Sequence, residues 1–168
     1  MVNAYDLKPH ELQLEITESA YSDDATRLVE VVNSLRKKDF EIEMDDFGTG
    51  YSSLNMLTTI PIDALKMDMS FVRNMHKDNT RLKLVELIID ISRFLDVPVI
   101  AEGVEEQSQL DTLRELGCDI IQGYYFSKPV PAEEFEKFFV MREERRIEMG
   151  RTNKYEIDMC NGPILKKM

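Results

Sequence analysis

Tryptophan is missing from the 168 residues, cysteine and histidine occur twice each, and glycine and proline number only seven and six. So little glycine and proline excludes a collagen-like repeat. Two cysteines, Cys118 and Cys160, 42 residues apart and in no CxxC or Cys/His grouping, exclude a disulfide-stapled miniprotein. Long apolar runs are lacking too: none approaches the 18 or so residues a membrane span needs. No basic n-region followed by an apolar h-region opens the chain. A cytoplasmic, reducing location is the simplest expectation. Basic residues are in deficit, 21 against 32 acidic ones, for a net charge of −11. That argues against a polymeric nucleic acid or an anionic membrane as partner, because both require a basic patch to neutralise phosphates. It leaves room for a small phosphate ligand held through metal ions.

What is present suffices for one folded domain. The composition is 43% hydrophobic and 32% charged, enough apolar side chain for a real core and too much for a disordered tail. Residues 140–168 carry seven basic and five acidic side chains, so the first 139 hold a net −13. The acid is concentrated ahead of the tail.

Two periodicities alternate along the chain. Leu12, Leu14 and Ile16 face one way and Gln13, Glu15 and Thr17 the other, a strand. Ala25, Leu28, Val29, Val32 and Leu35 recur at helical spacing behind an N-cap expected at Ser22 or Asp23. A second strand, Phe40 to Asp45, sets Glu41, Glu43 and Asp45 opposite Phe40, Ile42 and Met44. It runs into the turn Asp46-Phe-Gly-Thr-Gly50 and a short helix from Ser52. A third strand spans Ile62 to Met67, followed by a helix from Thr80 to Leu95. A fourth, Val97 to Glu102, precedes a helix carrying Leu110, Leu113 and Leu116 that Gly117 stops. A fifth, Cys118 to Gln122, leads to a helix with Phe135, Phe138 and Phe139. No periodicity is legible beyond Arg146.

Five strand-helix units in succession predict an α/β fold with a parallel sheet. At roughly 27 to 30 residues per unit they match the repeat of a (β/α)8 barrel, which takes about 250 residues. The expectation is a partial TIM-type barrel, its last five units. Such an arc leaves two sheet edges open, which predicts completion or protection by oligomerisation, a self-complementary homodimer above all.

Polar side chains collect where the strands finish: Glu15 and Glu18, Asp45 and Asp46, Lys66 and Asp68, Glu102, and Gln122. In parallel α/β folds that end of the sheet is where active sites form. Converging carboxylates need cations among them, and with no His or Cys at these positions the oxygen ligands favour Mg²⁺ or Mn²⁺ over zinc. Two such ions can clamp an in-line phosphoryl displacement. Lys66 suits charge stabilisation and Glu102 suits the general base, so the residues read as metal-dependent phosphoester hydrolysis. Each feature also has a plainer reading. Asp45-Asp46 before Phe-Gly suits a turn, Lys66 suits an ion pair with Asp45 or Glu102, Glu18 suits a helix cap, and Glu105 and Glu106 suit a helix dipole.

Five segments, in order, carry a family resemblance. Leu14-Glu-Ile-Thr-Glu-Ser19, Asp45-Asp-Phe-Gly-Thr-Gly-Tyr-Ser-Ser-Leu54, Leu65-Lys-Met-Asp68 with Ser70-Phe-Val72, Ala101-Glu-Gly-Val-Glu105, and Gln122-Gly-Tyr-Tyr-Phe-Ser-Lys-Pro129 resemble successive motifs of the EAL family. The resemblance implies a cyclic di-GMP phosphodiesterase on a modified TIM barrel, releasing linear pGpG. It implies that Glu15 and Asp45 hold one metal, with Asp45 shared and Asp46 serving the second. Lys66 and Glu102 become the water-activating pair, and Glu18 a brace for the loop from Asp46 to Ser53. Gln122, Asp68 and Glu105 lie near substrate or the attacking water. The naming Glu-Ala-Leu and the Asn of the following strand are absent. Residues 1–140 then read as the C-terminal portion of an EAL-type domain, N-terminally truncated, and 141–168 as a helix end and tail. An upstream sensor or GGDEF domain belongs to the same expectation, as does weak or absent activity. The contrasting reading is a noncatalytic module that binds cyclic di-GMP or a protein partner.

Overall fold

The computed structural model describes residues 6–49, 54–137, 155–158 and 164–167. The readings placed on Gly50 to Ser53, on Phe138 and Phe139, on the boundary at 140/141, on the Arg142 to Arg151 segment and on Cys160 lie outside these residues.

The order is β1 (Gln13–Thr17), α1 (Glu18–Asp23), α2 (Ala25–Arg36), β2 (Glu41–Phe47), α3 (Leu54–Thr59), β3 (Ala64–Met67), α4 (Met69–Asn74), α5 (Asn79–Leu95), β4 (Val99–Ala101), α6 (Gln107–Leu116) and β5 (Ile120–Gln122). A short helix α7 (132–137) and two strands, β6 (Tyr155–Asp158) and β7 (Ile164–Lys167), follow. Strands β1 to β5 pair in chain order, every pair parallel. This is the α/β arc of five strand-helix units expected from the alternation.

Period-two alternation divides each strand between two environments. Ile42, Met44, Leu65, Met67, Val99, Ala101 and Ile121 face the helices and join one buried cluster with Val32, Val85, Ile89, Leu110 and Leu113. Burying each of the larger side chains contributes about 1.5–3 kcal/mol, so this layer is what holds helices to sheet. Ala64 and Ile100 are buried outside that cluster, on the opposite, inner face. Cys118 is fully buried at the start of the fifth unit, as expected, and burial pushes its thiol pKa up to about 12.

Local chemistry sets the ends. The carboxylate of Asp24, rather than Ser22 or Asp23, caps α2 by accepting the Arg27 amide at 3.0 Å; a separate helix, α1, takes up the preceding residues. Asp78 caps α5 in the same way. Gly117, at φ 79°, closes α6 where a left-handed residue is needed. Two aspartates lie where β3 and β5 begin. Asp63 accepts the Ile42 amide at 2.9 Å and pairs with Arg36 at 2.9 Å, while Asp119 accepts the Val99 amide at 3.1 Å. They tie the N-terminal end of the sheet, leaving the other end free for chemistry.

One expectation is corrected. The sheet continues past β5, where β7 pairs antiparallel through Ile120↔Lys166, Ile121↔Leu165 and Gln122↔Ile164, and β6 pairs outside it. The β5 edge is therefore covered by the chain's own tail, not left for a second copy. Strands of four residues give too short a run for alternation to register, and pairing with an open edge, which no local pattern encodes, holds them.

Candidate active site at the C-terminal ends of the strands

Lys66 is 7% exposed on the inner face of β3, among carboxylates from β1, β2 and the residue that follows β4. Its ammonium hydrogen-bonds Glu15 on β1, lies 3.1 Å from Asp45 Oδ1 on β2, and 2.8 Å from Glu102 Oε1 just past β4. The groups that meet are not register partners. Glu15 pairs with Glu43, which pairs with Ala64, yet the Glu15 carboxylate meets Lys66 two residues further on. Lys66 likewise pairs with Ile100 and meets Glu102. A stagger of this kind is what tilted barrel strands produce, and it stacks inward side chains in layers.

Burial acts against the charge on Lys66, but hydrogen bonds to Glu102, Glu15 and Asp45 outweigh it and raise its pKa above the ordinary lysine value. Burial raises the Glu102 pKa, and the lysine contact offsets only part of that rise. Asp46 is raised by partial desolvation and then by the negative charges of Asp45 and Asp68. Its backbone is left-handed, φ 54°, so its side chain departs from the strand alternation while that of Asp45 stays on the inner face.

The other expected residues divide into supports and neighbours. Glu18, 5% exposed, accepts the Gly48 amide at 3.3 Å in the turn after β2. Asp68 caps α4 through the Ser70 amide at 3.0 Å. Glu105 is paired with Arg73 at 2.6 Å, and Glu106 is the N-cap of α6 in a capping box with Gln109, whose side chain accepts the amides of Glu105 and Glu106. Gln122 ends β5, and its carbonyl accepts the Val104 amide at 3.2 Å. Gly123 is held there because a Cβ would lie 2.2 Å from the Val104 oxygen at φ +158°. His10 pairs with Asp39 and His76 with Thr112, both away from the cluster.

One inward carboxylate had no role in the sequence reading. Glu43 is 5% exposed, and burial raises its pKa against the lowering effect of Lys66. The signal for it was present: alternation sets it on the same face as Asp45.

The donors are carboxylates throughout, four of them inward around a single ammonium, an excess of oxygen ligands and negative charge that fits hard divalent cations. Among the described residues no three His, Cys, Asp or Glu side chains already converge as a metal cage. They are organised about the Lys66 ammonium instead, the ion-pair reading of that lysine. Among the same residues no helix is long and apolar enough to cross a membrane.

This geometry lies inside a recognisable segment. The sequence profile of the EAL domain matches residues 1–129. The chain belongs to the EAL family. NbdA, a cyclic di-GMP phosphodiesterase of Pseudomonas aeruginosa, is 40% identical over 127 residues, 76% of this chain and 16% of NbdA. MucR of the same organism, a bifunctional diguanylate cyclase and cyclic di-GMP phosphodiesterase, is 38% identical over 77% of this EAL chain and 19% of its own length. The MucR phosphodiesterase in complex with c-di-GMP superposes with a TM-score of 0.76 at 37% identity, covering 79% of this chain and 54% of that one. BlrP1 of Klebsiella pneumoniae, solved with manganese and cyclic di-GMP, superposes at 0.71 with 32% identity over 76% and 33% of the two chains. The chain spans about one sixth of the length of the curated relatives it matches.

Proposed function

We propose that this EAL chain carries the strand-end machinery of a cyclic di-GMP phosphodiesterase, and that hydrolysis yields linear pGpG. The observation that carries the reading is the meeting of Glu15, Asp45 and Glu102, from three strands, on Lys66 at the C-terminal ends of the sheet. Glu15 and Asp45 would hold one divalent ion, Mg²⁺ or Mn²⁺, and Asp45 with Asp46 a second. When bound, such ions polarise a phosphoryl oxygen and acidify water. The chain's own groups do the rest. Glu102, its pKa raised by burial, accepts the proton of the attacking water, whose oxygen bonds to phosphorus as the ester oxygen leaves. Lys66 remains cationic and stabilises negative charge developing on the phosphoryl oxygens. Gln122, at the end of β5, and the Asp68 and Glu105 segments border the substrate. Glu18 fixes the turn that presents Asp46.

Residues 1–140 make up the EAL-type portion, and 141–168 an appendage. An upstream sensor or GGDEF domain in a longer cytoplasmic protein fits the small share of its relatives that the chain spans. We also assign a homodimer. Leu87 and Phe94, 53% and 83% exposed on α5, line a cavity of about 300 Å3 together with Leu57, Thr58, Asp90, Ile91 and Leu95. An exposed apolar patch of this kind is suited to burial against a second copy.

The deciding experiment is hydrolysis of cyclic di-GMP with Mg²⁺ or Mn²⁺ by this chain and by a version extended upstream by about 90 residues, the remainder of a full barrel. The extended chain turns over substrate and the short one does so weakly or not at all. Glu102→Gln in the extended chain lowers kcat about 100-fold or more. Inactivity of both chains would instead favour the binding-module reading, and an undiminished Glu102→Gln variant would remove Glu102 as the base.

A further inference from the structure

Glu43 is the one inward carboxylate at this site that accepts no hydrogen bond from any described residue. Its residue surface is 5% exposed, and burial raises its pKa. On β2 it precedes Asp45 by two residues, about 6.7 Å along the strand, so it sits one layer deeper than the mouth. Its register partners are Glu15 on one side and Ala64 on the other. Ala64 precedes Lys66 by two residues on the inner face of β3, and its side chain is a single methyl. The charges that act on Glu43 are those of Lys66, attractive, and of Glu15, Glu41 and Asp45, repulsive. Glu43 is thus placed under the lysine rather than at the rim.

With the site as it stands, Lys66 is shared by Glu15, Asp45 and Glu102. Divalent ions that claim Glu15 and Asp45 withdraw two of those three partners from a buried ammonium. A lysine so stripped either loses its geometry or opposes the incoming cations, since like charges at short range repel strongly in a dry site.

We propose that Glu43 is a positioning residue: it takes up the Lys66 ammonium from below when divalent cations occupy Glu15 and Asp45, keeping the lysine in place and releasing the two carboxylates to the metal. This role rests on the metal-site reading above. It explains why an acid sits unpaired in the ion-free arrangement, where Lys66 is engaged with the layer above.

Mn²⁺ binding by calorimetry on the full chain, in wild type, Glu43→Gln, Lys66→Gln and the double variant, tests it. Glu43→Gln weakens binding about tenfold where Lys66 is present and less than twofold where it is not, because the carboxylate acts through the lysine. Equal weakening in both backgrounds means that Glu43 attracts the ion directly and overturns the proposal; no weakening in either does the same. Lys66 variants can fail to fold, so a second measurement uses Glu43→Gln alone. The ¹⁵N resonance of the Lys66 ammonium is followed through a Mg²⁺ titration, and the substitution displaces it more in the loaded than in the free protein. A resonance displaced equally in both states overturns the assignment. Wild-type chain that binds neither ion refutes the metal-site reading and this role together. A chain that binds the ions with an uncoupled cycle refutes the role of Glu43 alone.

Discussion

At the scale of single residues the site is an electrostatic balance in which Lys66 is the one cation among the described residues. Three carboxylates hold it directly and a fourth lies below. Lys66→Met should therefore leave mutually repelling acids on one face and reduce stability in divalent-free buffer by about 2 kcal/mol. That is toward the low end for a broken buried pair, because Glu15 is half exposed. Urea unfolding measures it, and millimolar Mg²⁺ should restore part of the loss by binding the folded form only. An unchanged midpoint without Mg²⁺ would show that the ion pairs contribute nothing net, and the same protein would then give no reason to regard the acids as crowded.

At the scale of elements, two loops decide how the catalytic ends are presented. The segments after β4 and β5 are laced together: the Val104 amide donates to the Gln122 carbonyl, and the Tyr125 amide donates to the Val104 carbonyl at 2.9 Å. Gly123 makes this approach possible, since any Cβ there would strike the Val104 backbone. Gly123→Ala should cost about 3 kcal/mol, because the neighbour is backbone and cannot turn aside. The expected readout is a lower thermal midpoint and, on the proposed phosphodiesterase reading, weaker cyclic di-GMP binding, since Gln122 and Glu102 flank the contact. A midpoint within a degree of wild type would mean that the two loops separate at little cost. The caps at Asp24 and Asp78 act at the same scale, fixing where α2 and α5 begin.

For the molecule as a whole, the question is how an arc of five parallel strands survives with its edges. One edge is closed by the chain itself, through the β6–β7 hairpin on β5; β1 and β6 are the outermost strands. The proposed homodimer would use the helical side, where Phe94 stands 83% exposed in the lining of the α5 cavity. Phe94→Glu should shift sedimentation from dimer to monomer at micromolar concentration while leaving the far-ultraviolet spectrum unaltered, since the side chain supports nothing internal. A wild-type chain that sediments as a monomer, or a variant that stays dimeric, removes α5 as the interface.

The sequence by itself determined what local periodicity and residue chemistry can carry. Alternation in Leu12 to Thr17 and Phe40 to Asp45 marked strands and their inward acids, and helical spacing marked α2, α5 and α6. Five ordered motifs marked the family. It also placed Lys66 against Asp45 or Glu102. Tertiary structure alone decided that Lys66 reaches Glu15 as well, 51 residues away. Strand stagger, not sequence separation, sets which inward residues share a layer, and stagger arises from nonlocal pairing. The same holds for Glu43: period two gave its face, while only the packed sheet gave its depth. The N-cap shifted from Ser22 or Asp23 to Asp24 because Glu18–Asp23 forms its own helix. The tail hairpin was illegible because four-residue strands are defined by the edge they join, and that edge exists only once the parallel sheet has formed.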